Sequence, residues 1–272
     1  MPEGPEIRRA ADRIASAIEG RAVDEVYFAF PELKPWEGRL RGQRVRRVQP
    51  RGKALLIRFE QGVTMYSHNQ LYGRWFIRDR GVTPSTRRQL RAALHTETSS
   101  ALLYSASEIA IMLDEDLHRH PYLSRLGLDL LDPDVRPATV RDRMRDARFS
   151  RRSLGALLLD QSFLSGVGNY LRSEILHYAA AAPSRRPRDL DDDEQLRFAR
   201  AALTVTRRAY RTPGVTTDPG RARRLQAAGK PRREYRHYVF GRAGESCPRC
   251  GDIVVRRTIA GRRLYLCPSC QH

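Results

Sequence analysis

The chain has 272 residues, with 50 Lys and Arg against 31 Asp and Glu and a formal net charge of +19. Its 40% content of hydrophobic residues is typical of a folded protein. The sequence has no apolar run of about eighteen residues, as a membrane span requires, and no apolar signal segment near its start. We therefore expect a cytoplasmic protein with a polyanionic partner, and nucleic acid is favoured over a membrane surface because no basic amphipathic anchor is present.

The N-terminal half is predicted to begin with a helix and to continue as short β-strands. Residues 2–20 place their apolar side chains on one helical face, and Gly20 ends the pattern. Short β-rich runs follow, with Glu60-Gln61-Gly62 as a hairpin turn between two of them. The predicted strands cover 23–30, 43–48, 54–59, 63–66, 74–77 and 101–104. Many short strands separated by turns predict a β-sandwich or a barrel.

The C-terminal half is predicted to be helical. The segment LGLDLLDPDVRP at 126–137 is interpreted as a hinge before this half. Helical periodicity follows at about 138–146, 151–161, 169–180 and 192–211. Residues 212–234 are rich in Gly, Pro and Arg without a clear period, and they are predicted to form a mobile basic loop.

Four cysteines near the C-terminus form two pairs with metal-ligand spacing. Cys247 and Cys250 make one C-x2-C, Cys267 and Cys270 make the other, and sixteen residues separate the pairs. This spacing is typical of a zinc ribbon, in which four thiolates complete a tetrahedral structural site. Two disulfides are the alternative, which a cytoplasmic chain without further cysteines disfavours. The intervening hairpin carries arginines suited to a phosphate backbone: Arg256, Arg257, Arg262 and Arg263.

The segment GALLLDQSFLSGVGNYLRSEIL, residues 155–176, predicts two helices joined by a glycine-containing turn. The first helix is expected to stop near Gln161, and Asn169 is placed at the N-cap of the second. Arg172 in the first turn would oppose the helix dipole, unless a phosphate docks at this N-terminus and pairs with it. The alternative is an ordinary helical hairpin with a surface arginine, and this segment alone does not decide between them.

The N-terminus offers a candidate nucleophile. Removal of Met1 would leave Pro2 with a secondary α-amine, whose ordinary pKa of about 8 leaves a fraction unprotonated at neutral pH. Such an amine can attack an aldehydic sugar carbon and form an iminium, and Glu3 is close enough in sequence to exchange a proton with it. Taken alone, a chain that begins Met-Pro has many unrelated explanations.

Taken together, these segments resemble the bacterial family of formamidopyrimidine-DNA glycosylase and endonuclease VIII. Five motifs carry the resemblance in matching order: PEGPEIRRAADRI at the start, RGKALL (51–56), YSHNQLYG (66–73), GVGNYLRSEIL (166–176) and CPSCQH (267–272). The resemblance implies an α+β fold. Its parts would be a catalytic β-sandwich domain with an N-terminal helix at 2–125, a hinge at 126–137, a helical DNA-binding domain with a helix–two-turns–helix motif at 138–225, and a zinc finger hairpin at 236–272.

The resemblance also implies the catalytic residues. Pro2 corresponds to the nucleophile that attacks C1′ of a nucleotide turned out of the duplex, and Glu3 to the general acid that protonates the departing sugar oxygen. Lys53, one of three lysines among the 50 basic residues, corresponds to the lysine assigned to β-elimination. Arg262 corresponds to the zinc-hairpin arginine assigned to δ-elimination, and the adjacent Arg263 leaves that position open by one residue.

The DNA-binding residues implied by the resemblance lie in three motifs. Gln70, Leu71 and Tyr72 correspond to consecutive residues that fill the gap left by the flipped nucleotide, a role suited to a wedge and a stacking ring. Taken alone, they would be read as part of an edge strand or turn. Arg125 and Asn169 correspond to backbone-binding positions, although Arg125 by itself would be an ordinary surface arginine.

The function implied by the resemblance is a bifunctional DNA glycosylase and AP lyase of base excision repair. It would remove oxidised bases and nick the strand by β,δ-elimination through a Schiff base at Pro2. It would use one structural zinc ion and bind damaged double-stranded DNA as a nucleoid-associated monomer. The single run of gap-filling residues favours the endonuclease VIII branch and oxidised pyrimidines. The alternatives are an oxidised-purine glycosylase of the other branch and a catalytically silent DNA-binding protein, which the retention of Pro2, Glu3 and Lys53 disfavours.

Overall fold

A computed structural model describes residues 2–272 of the chain. The chain forms two compact units, the first ending at Arg125 and the second running over Leu126–His272. Within the described residues, no helix combines the length and the apolar character that crossing a bilayer demands.

The first unit is a β-sandwich with one long helix. Its elements, in chain order, are α1 (Gly4–Ile18), β1 (Glu25–Phe28), α2 (Pro35–Leu40), β2 (Val45–Arg51), β3 (Ala54–Phe59), β4 (Val63–His68), β5 (Arg74–Asp79), β6 (Leu90–His95), β7 (Ser99–Tyr104) and β8 (Glu108–Leu113). They make two antiparallel four-stranded sheets, of order β1-β6-β7-β5 and β2-β3-β4-β8. One apolar core draws side chains from both sheets and from α1, because each contributes a face that must leave water.

A short segment covers part of the other face of the second sheet. After β8, the chain runs through two 3-10 turns, Asp114–Arg119 and Leu123–Arg125. Tyr122 and Leu123 in this segment pack against a small cluster formed by Ala54, Leu56 and Tyr66 of β3 and β4. Both faces of these central strands are therefore partly covered, which explains their nearly continuous burial.

The second unit is mainly helical and ends in a hairpin. Its elements are β9 (Leu128–Asp129), α3 (Pro137–Arg145), α4 (Ala147–Ser150), α5 (Leu154–Leu157), β10 (Leu164–Ser165), α6 (Asn169–Tyr178), α7 (Asp192–Arg211), α8 (Pro219–Ala227), α9 (Arg232–Arg236), β11 (Val255–Ile259) and β12 (Arg262–Leu266). Strands β9 and β10 pair in parallel, and β11 and β12 pair antiparallel. Buried residues of α3, α6 and α7 share one core with Leu264 of the hairpin.

The strand prediction for the first half is confirmed but incomplete. All six predicted strands and the turn at Glu60-Gln61-Gly62 are present, and Gly62 has the positive φ of 72° that the turn needs. Strands β6 and β8 and helix α2 were not predicted. The β6 sequence LRAALH lacks alternation and contains good helix formers, so only its pairing with β1 and β7 makes it a strand.

Two predictions for the second half are wrong. The expected helix at 151–161 contains only the short α5, Leu154–Leu157. The expected loop at 212–234 contains α8 and the start of α9. Helix α8 begins because the Asp218 side chain accepts hydrogen bonds from the amides of Gly220 and Arg221, with Pro219 in the first turn. The prediction relied on the absence of a clear period and did not use these capping signals.

Candidate active site and metal centre

Pro2 lines a cavity of the first unit together with the predicted wedge. The cavity has a volume of about 430 Å³, and its lining includes Pro2, Asn69, Leu71 and Tyr72. Asn69 is only 8% exposed, and its Oδ1 has no hydrogen-bond partner among the described residues. A buried acceptor of this kind favours an external donor, so this wall of the cavity is suited to a polar ligand.

Glu3 lies at the start of α1, next to Pro2, and is 4% exposed. Its backbone amide donates to Glu6 Oε2 at 3.1 Å, and its carbonyl accepts from the amides of Glu6 and Ile7. The backbone that carries Glu3 is therefore fixed by the first helical turn. A carboxylate in so enclosed a position is suited to proton exchange with a reacting group rather than with bulk water.

The wedge loop is closed by a backbone hydrogen bond between its ends. The amide of Gly73 donates to the carbonyl of Asn69 at 2.7 Å. A Cβ at position 73 would lie 2.7 Å from the Asn69 Cα, so the close approach requires glycine there. Leu71 and Tyr72 between these ends are 59% and 69% exposed. Two large apolar side chains therefore project into solvent, which is the arrangement a wedge needs.

Gln70 differs from the other two wedge residues because its side chain is held by the protein. Its Nε2 donates to Glu108 Oε2 at 3.2 Å, and its Oε1 accepts from the Ser107 hydroxyl at 3.0 Å. Its backbone has a φ of 45°, and its amide donates to His68 Nδ1 at 3.2 Å. The structure therefore fixes Gln70 and leaves Leu71 and Tyr72 exposed.

Lys53 occupies the turn between β2 and β3. Arg51 pairs with Ala54, which leaves Gly52 and Lys53 as a two-residue hairpin loop, and Gly52 has a φ of 61°. A glycine with positive φ at the first central position is typical of tight hairpins. Lys53 lies next to Ala54, which pairs with His68 of β4. Burial lowers the pKa of His68, Glu108 raises it, and the Lys53 charge lowers it further.

The four cysteines form a compact cluster of ligand atoms. All four Sγ atoms lie within 4.8 Å of one another, with 3.4 Å between those of Cys250 and Cys267 and 3.9 Å between those of Cys247 and Cys270. In a tetrahedral zinc site with Zn–S bonds of about 2.3 Å, neighbouring sulfurs are about 3.8 Å apart. The donor set fits a structural zinc ion, and the cysteines are free rather than joined in disulfides.

Side chains around the cluster support the cysteines from outside. His177 Nε2 lies 3.5 Å from Cys247 Sγ, and its ring stacks on that of Tyr238 with centroids 5.2 Å apart. Gln271 Oε1 accepts from the Cys267 amide at 2.9 Å. Such partners around a metal centre hold the ligands in place, so the ribbon is joined to α6 through His177.

Asn169 is the first residue of α6 and not its N-cap, which corrects the prediction. The N-cap is Gly168, whose φ and ψ of −134° and −154° are extended. The turn before it contains Gly166 with a φ of 84°. Asn169 is half-buried at the helix N-terminus, where the helix dipole favours negative charge.

Arg172 is fully buried, so the alternative of a surface arginine is wrong. Its burial argues against the contact with a DNA phosphate, which stays a prediction. Its guanidinium donates to four backbone carbonyls, those of Gly155, Ile259, Arg262 and Arg263, at 3.0, 3.3, 3.2 and 2.9 Å. Three of these carbonyls belong to the zinc hairpin. Arg172 therefore links α6 to the turn that carries the predicted catalytic arginine.

The hairpin presents its arginines to solvent around this buried anchor. Arg256, Arg257, Arg262 and Arg263 are all exposed, whereas Leu264 is buried. Ile259 pairs with Arg262 across a two-residue turn whose residues have φ of 51° and 69°. The result is a rigid, positively charged hairpin suited to phosphate contacts. Arg125, the last residue of the first unit, is likewise exposed.

Sequence reasoning missed Glu174, the second buried charge of α6. Its carboxylate accepts hydrogen bonds from the amides of Tyr238, Val239 and Phe240 and from the Thr216 hydroxyl. Burial alone would raise the pKa of Glu174, but these hydrogen bonds and the neighbouring His237 hold it below its usual value. Glu174 therefore fixes the segment that leads into the ribbon. An acidic residue within the largely apolar run NYLRSEIL was the sequence signal that could have indicated a buried carboxylate.

The structural role of Arg172 gives a testable expectation. Arg172→Met removes every donor while keeping most of the side-chain length, so buried carbonyls lose their partners and the free energy of unfolding should fall by about 3 kcal/mol. Denaturant unfolding measures this change. Arg256→Met, on the exposed part of the hairpin, is the matched control and should change it by less than about 0.5 kcal/mol. Lost DNA affinity with unchanged stability in Arg172→Met would instead support a direct phosphate contact.

Comparisons with known proteins point to one family from the start of the chain to its end. Residues 1–107 match the formamidopyrimidine-DNA glycosylase N-terminal domain, residues 126–219 its H2TH domain, and residues 244–272 the zinc finger found in FPG and IleRS. The chain is 46% identical to Endonuclease 8 of Klebsiella pneumoniae and 45% identical to Endonuclease 8 of Escherichia coli, each over 272 residues and all of both chains. The chain belongs to the formamidopyrimidine-DNA glycosylase/endonuclease VIII family. It is a DNA glycosylase with AP lyase activity, an enzyme of base excision repair.

Solved structures of this family share the fold. Lactococcus lactis Fpg in complex with DNA containing an N7-benzyl-Fapy-dG has a TM-score of 0.81 at 18% identity, with all of both chains covered. Its complex with DNA containing an abasic site has a TM-score of 0.80 at 18% identity, covering 99% of each chain. These likenesses confirm the predicted α+β fold with its H2TH motif and four-cysteine zinc finger.

Proposed function

We propose that this family member excises oxidised pyrimidines from damaged double-stranded DNA and nicks the strand through a Schiff base at Pro2. The observation that carries this proposal is the cavity that Pro2 shares with Leu71 and Tyr72. A nucleophile and a gap-filling wedge are needed at the same nucleotide, since a base can be attacked at its sugar only after it leaves the stack.

The proposed chemistry begins at the amine of Pro2 after Met1 is removed. The unprotonated nitrogen attacks C1′, the bond from C1′ to the base breaks, and the departing base takes up a proton. Glu3 then protonates the sugar oxygen as the ring opens, which leaves an iminium between Pro2 and C1′. The enclosed position of Glu3 beside Pro2 supports this role.

Strand cleavage follows from the acidity that the iminium gives to the adjacent sugar carbon. We assign to Lys53 the proton movements of β-elimination, which breaks the bond to the 3′ phosphate. We assign to Arg262 the contacts that promote δ-elimination at the 5′ phosphate. Asn169 and Arg125 contact the DNA backbone. The exposed hairpin arginines support the assignment to Arg262, and Arg172 acts only by fixing that hairpin.

We further propose one structural zinc ion held by Cys247, Cys250, Cys267 and Cys270, and a monomer that acts on the nucleoid. The ion would close the ribbon and take no part in the chemistry, because four thiolates leave no open coordination position. The fit of the four sulfur atoms to tetrahedral spacing supports this assignment.

A lesion panel tests the substrate class. Ring-saturated pyrimidines are non-planar and stack poorly, so turning them out of the duplex takes less free energy than the few kcal/mol of an intact base. Thymine glycol, dihydrouracil and 5-hydroxyuracil should therefore be excised faster than 8-oxoguanine opposite cytosine under single-turnover conditions. A clear preference for 8-oxoguanine would place the protein in the oxidised-purine branch and leave the Pro2 chemistry unaffected.

A further inference from the structure

A cluster of polar and aromatic side chains lies on the outer face of the second sheet, beside the Lys53 turn. It consists of Tyr66 and His68 of β4, Glu108 of β8, and His120 and Tyr122 of the covering segment; we call it the Tyr122 cluster. The Tyr66 hydroxyl donates to Glu108 Oε1 at 3.1 Å, and the Tyr66 and His120 rings lie 4.3 Å apart. Tyr66 is completely buried, so the cluster is anchored in the sheet.

Tyr122 is fixed within this cluster by both its backbone and its ring. The amides of Tyr122 and Leu123 lie 3.2 and 3.4 Å from His120 Nδ1, which accepts from both. This requires an unprotonated Nδ1, and burial, partly offset by Glu108, lowers the pKa of His120. The Tyr122 ring meets that of His68 edge-on at 5.4 Å. Its hydroxyl is therefore held at a defined position.

That hydroxyl accepts a hydrogen bond from the backbone amide of Lys53 at 2.8 Å. In a two-residue hairpin, the amides of the central residues lie outside the strand ladder, and the Lys53 amide finds its acceptor 69 residues further along the chain. The paired ends of β2 and β3 fix the turn from one side. The hydrogen bond to Tyr122 fixes the turn from the other side.

We propose that Tyr122 is a positioning residue for Lys53, acting through this hydroxyl. The inference rests on the proposed role of Lys53 in elimination. Tyr122 does not itself exchange protons with the substrate, but it holds the turn at the inclination from which the lysine reaches its proton. A displacement of about 1 Å in a catalytic group can reduce a rate many-fold. The loss of a single neutral hydrogen bond to the turn should therefore change the nicking rate measurably.

Tyr122→Phe is the sharpest variant, because it removes the acceptor and keeps the ring on His68. Single-turnover nicking of duplex DNA with a pre-formed abasic site should slow by about two- to tenfold, the range expected for one hydrogen bond. Affinity for a duplex with an uncleavable tetrahydrofuran abasic analogue should stay within about twofold, since no DNA contact is removed. Tyr104→Phe on β7, whose ring packs edge-on against Phe76 at 5.4 Å, is the matched control and should nick at the wild-type rate.

A double-mutant cycle with Lys53→Met separates positioning from general destabilisation. If Tyr122 acts through Lys53, adding Tyr122→Phe to Lys53→Met should cause no further loss of nicking. A further loss of the same size in that background would overturn the inference, as would equal slowing by Tyr104→Phe. If the wild-type protein nicks abasic DNA and Tyr122→Phe nicks it at the same rate, the positioning role of Tyr122 is refuted and the proposed function is not. Absence of nicking by the wild-type protein would refute the proposed function itself.

Discussion

Replacing Glu3 by glutamine should abolish base excision and leave most of the nicking of pre-formed abasic DNA. Glutamine keeps the shape of the side chain but has no acidic proton, and loss of a general acid reduces a rate by about 10²–10⁴. An abasic site has already lost its base, and its sugar opens spontaneously to the aldehyde that the Pro2 amine attacks. Its cleavage therefore no longer depends on the ring opening that Glu3 assists. Single-turnover assays on a thymine glycol duplex and on an abasic duplex measure the two rates.

Two further variants define the division of roles at this site. Lys53→Leu should impair both activities, and Lys53→Arg should fail to restore elimination because arginine keeps the charge without releasing a proton. Glu25→Gln is the control, because Glu25 is an exposed carboxylate on β1 that pairs with Arg80. This variant should leave both rates unchanged. Equal losses of excision and nicking in Glu3→Gln would show that the carboxyl group has no role specific to excision.

Loss of the zinc site should be the second large effect. The wild-type protein should contain one zinc ion per chain, and Cys247→Ser should lose the ion together with the fixed geometry of the hairpin that carries Arg262. DNA affinity should then fall by about one to two orders of magnitude, because several phosphate contacts are lost together. Metal analysis and binding isotherms at one salt concentration give the two quantities.

The neighbouring Ser269 supplies a control for the zinc experiment. Its hydroxyl is exposed and donates to Asp252, without belonging to the ligand set. Ser269→Ala should therefore keep both zinc and affinity. Fully active protein purified without zinc would contradict the assignment.

The sequence predicted those features that depend on residues close together in the chain. The cysteine pairs, the turn at Gly62 and the N-terminal helix each depend on spacing over a few residues, and the structure contains all of them. The resemblance added residue roles that no local pattern could supply. The family membership and the activity of the chain agree with this resemblance. The roles that it implies for individual residues stay predictions.

Features that depend on distant partners could not be predicted in this way. Arg172 looked like a phosphate ligand in its own segment, but a carbonyl 91 residues away makes it an internal anchor. Glu174 is matched by amides more than 60 residues downstream. Tyr122 contacts the Lys53 amide only because the fold brings together two residues that lie 69 positions apart. In each case the partner is a backbone group, which no side-chain pattern reveals.

Pro2 is proposed to form a covalent intermediate with the damaged nucleotide. The most direct measurement is borohydride trapping on abasic duplex DNA, followed by mass mapping of the cross-linked peptide. We expect an adduct on the peptide that begins at Pro2, formed by protein without Met1 and absent from protein that retains it. An adduct on any other residue, or equal trapping by protein that retains Met1, would show that Pro2 is not the nucleophile.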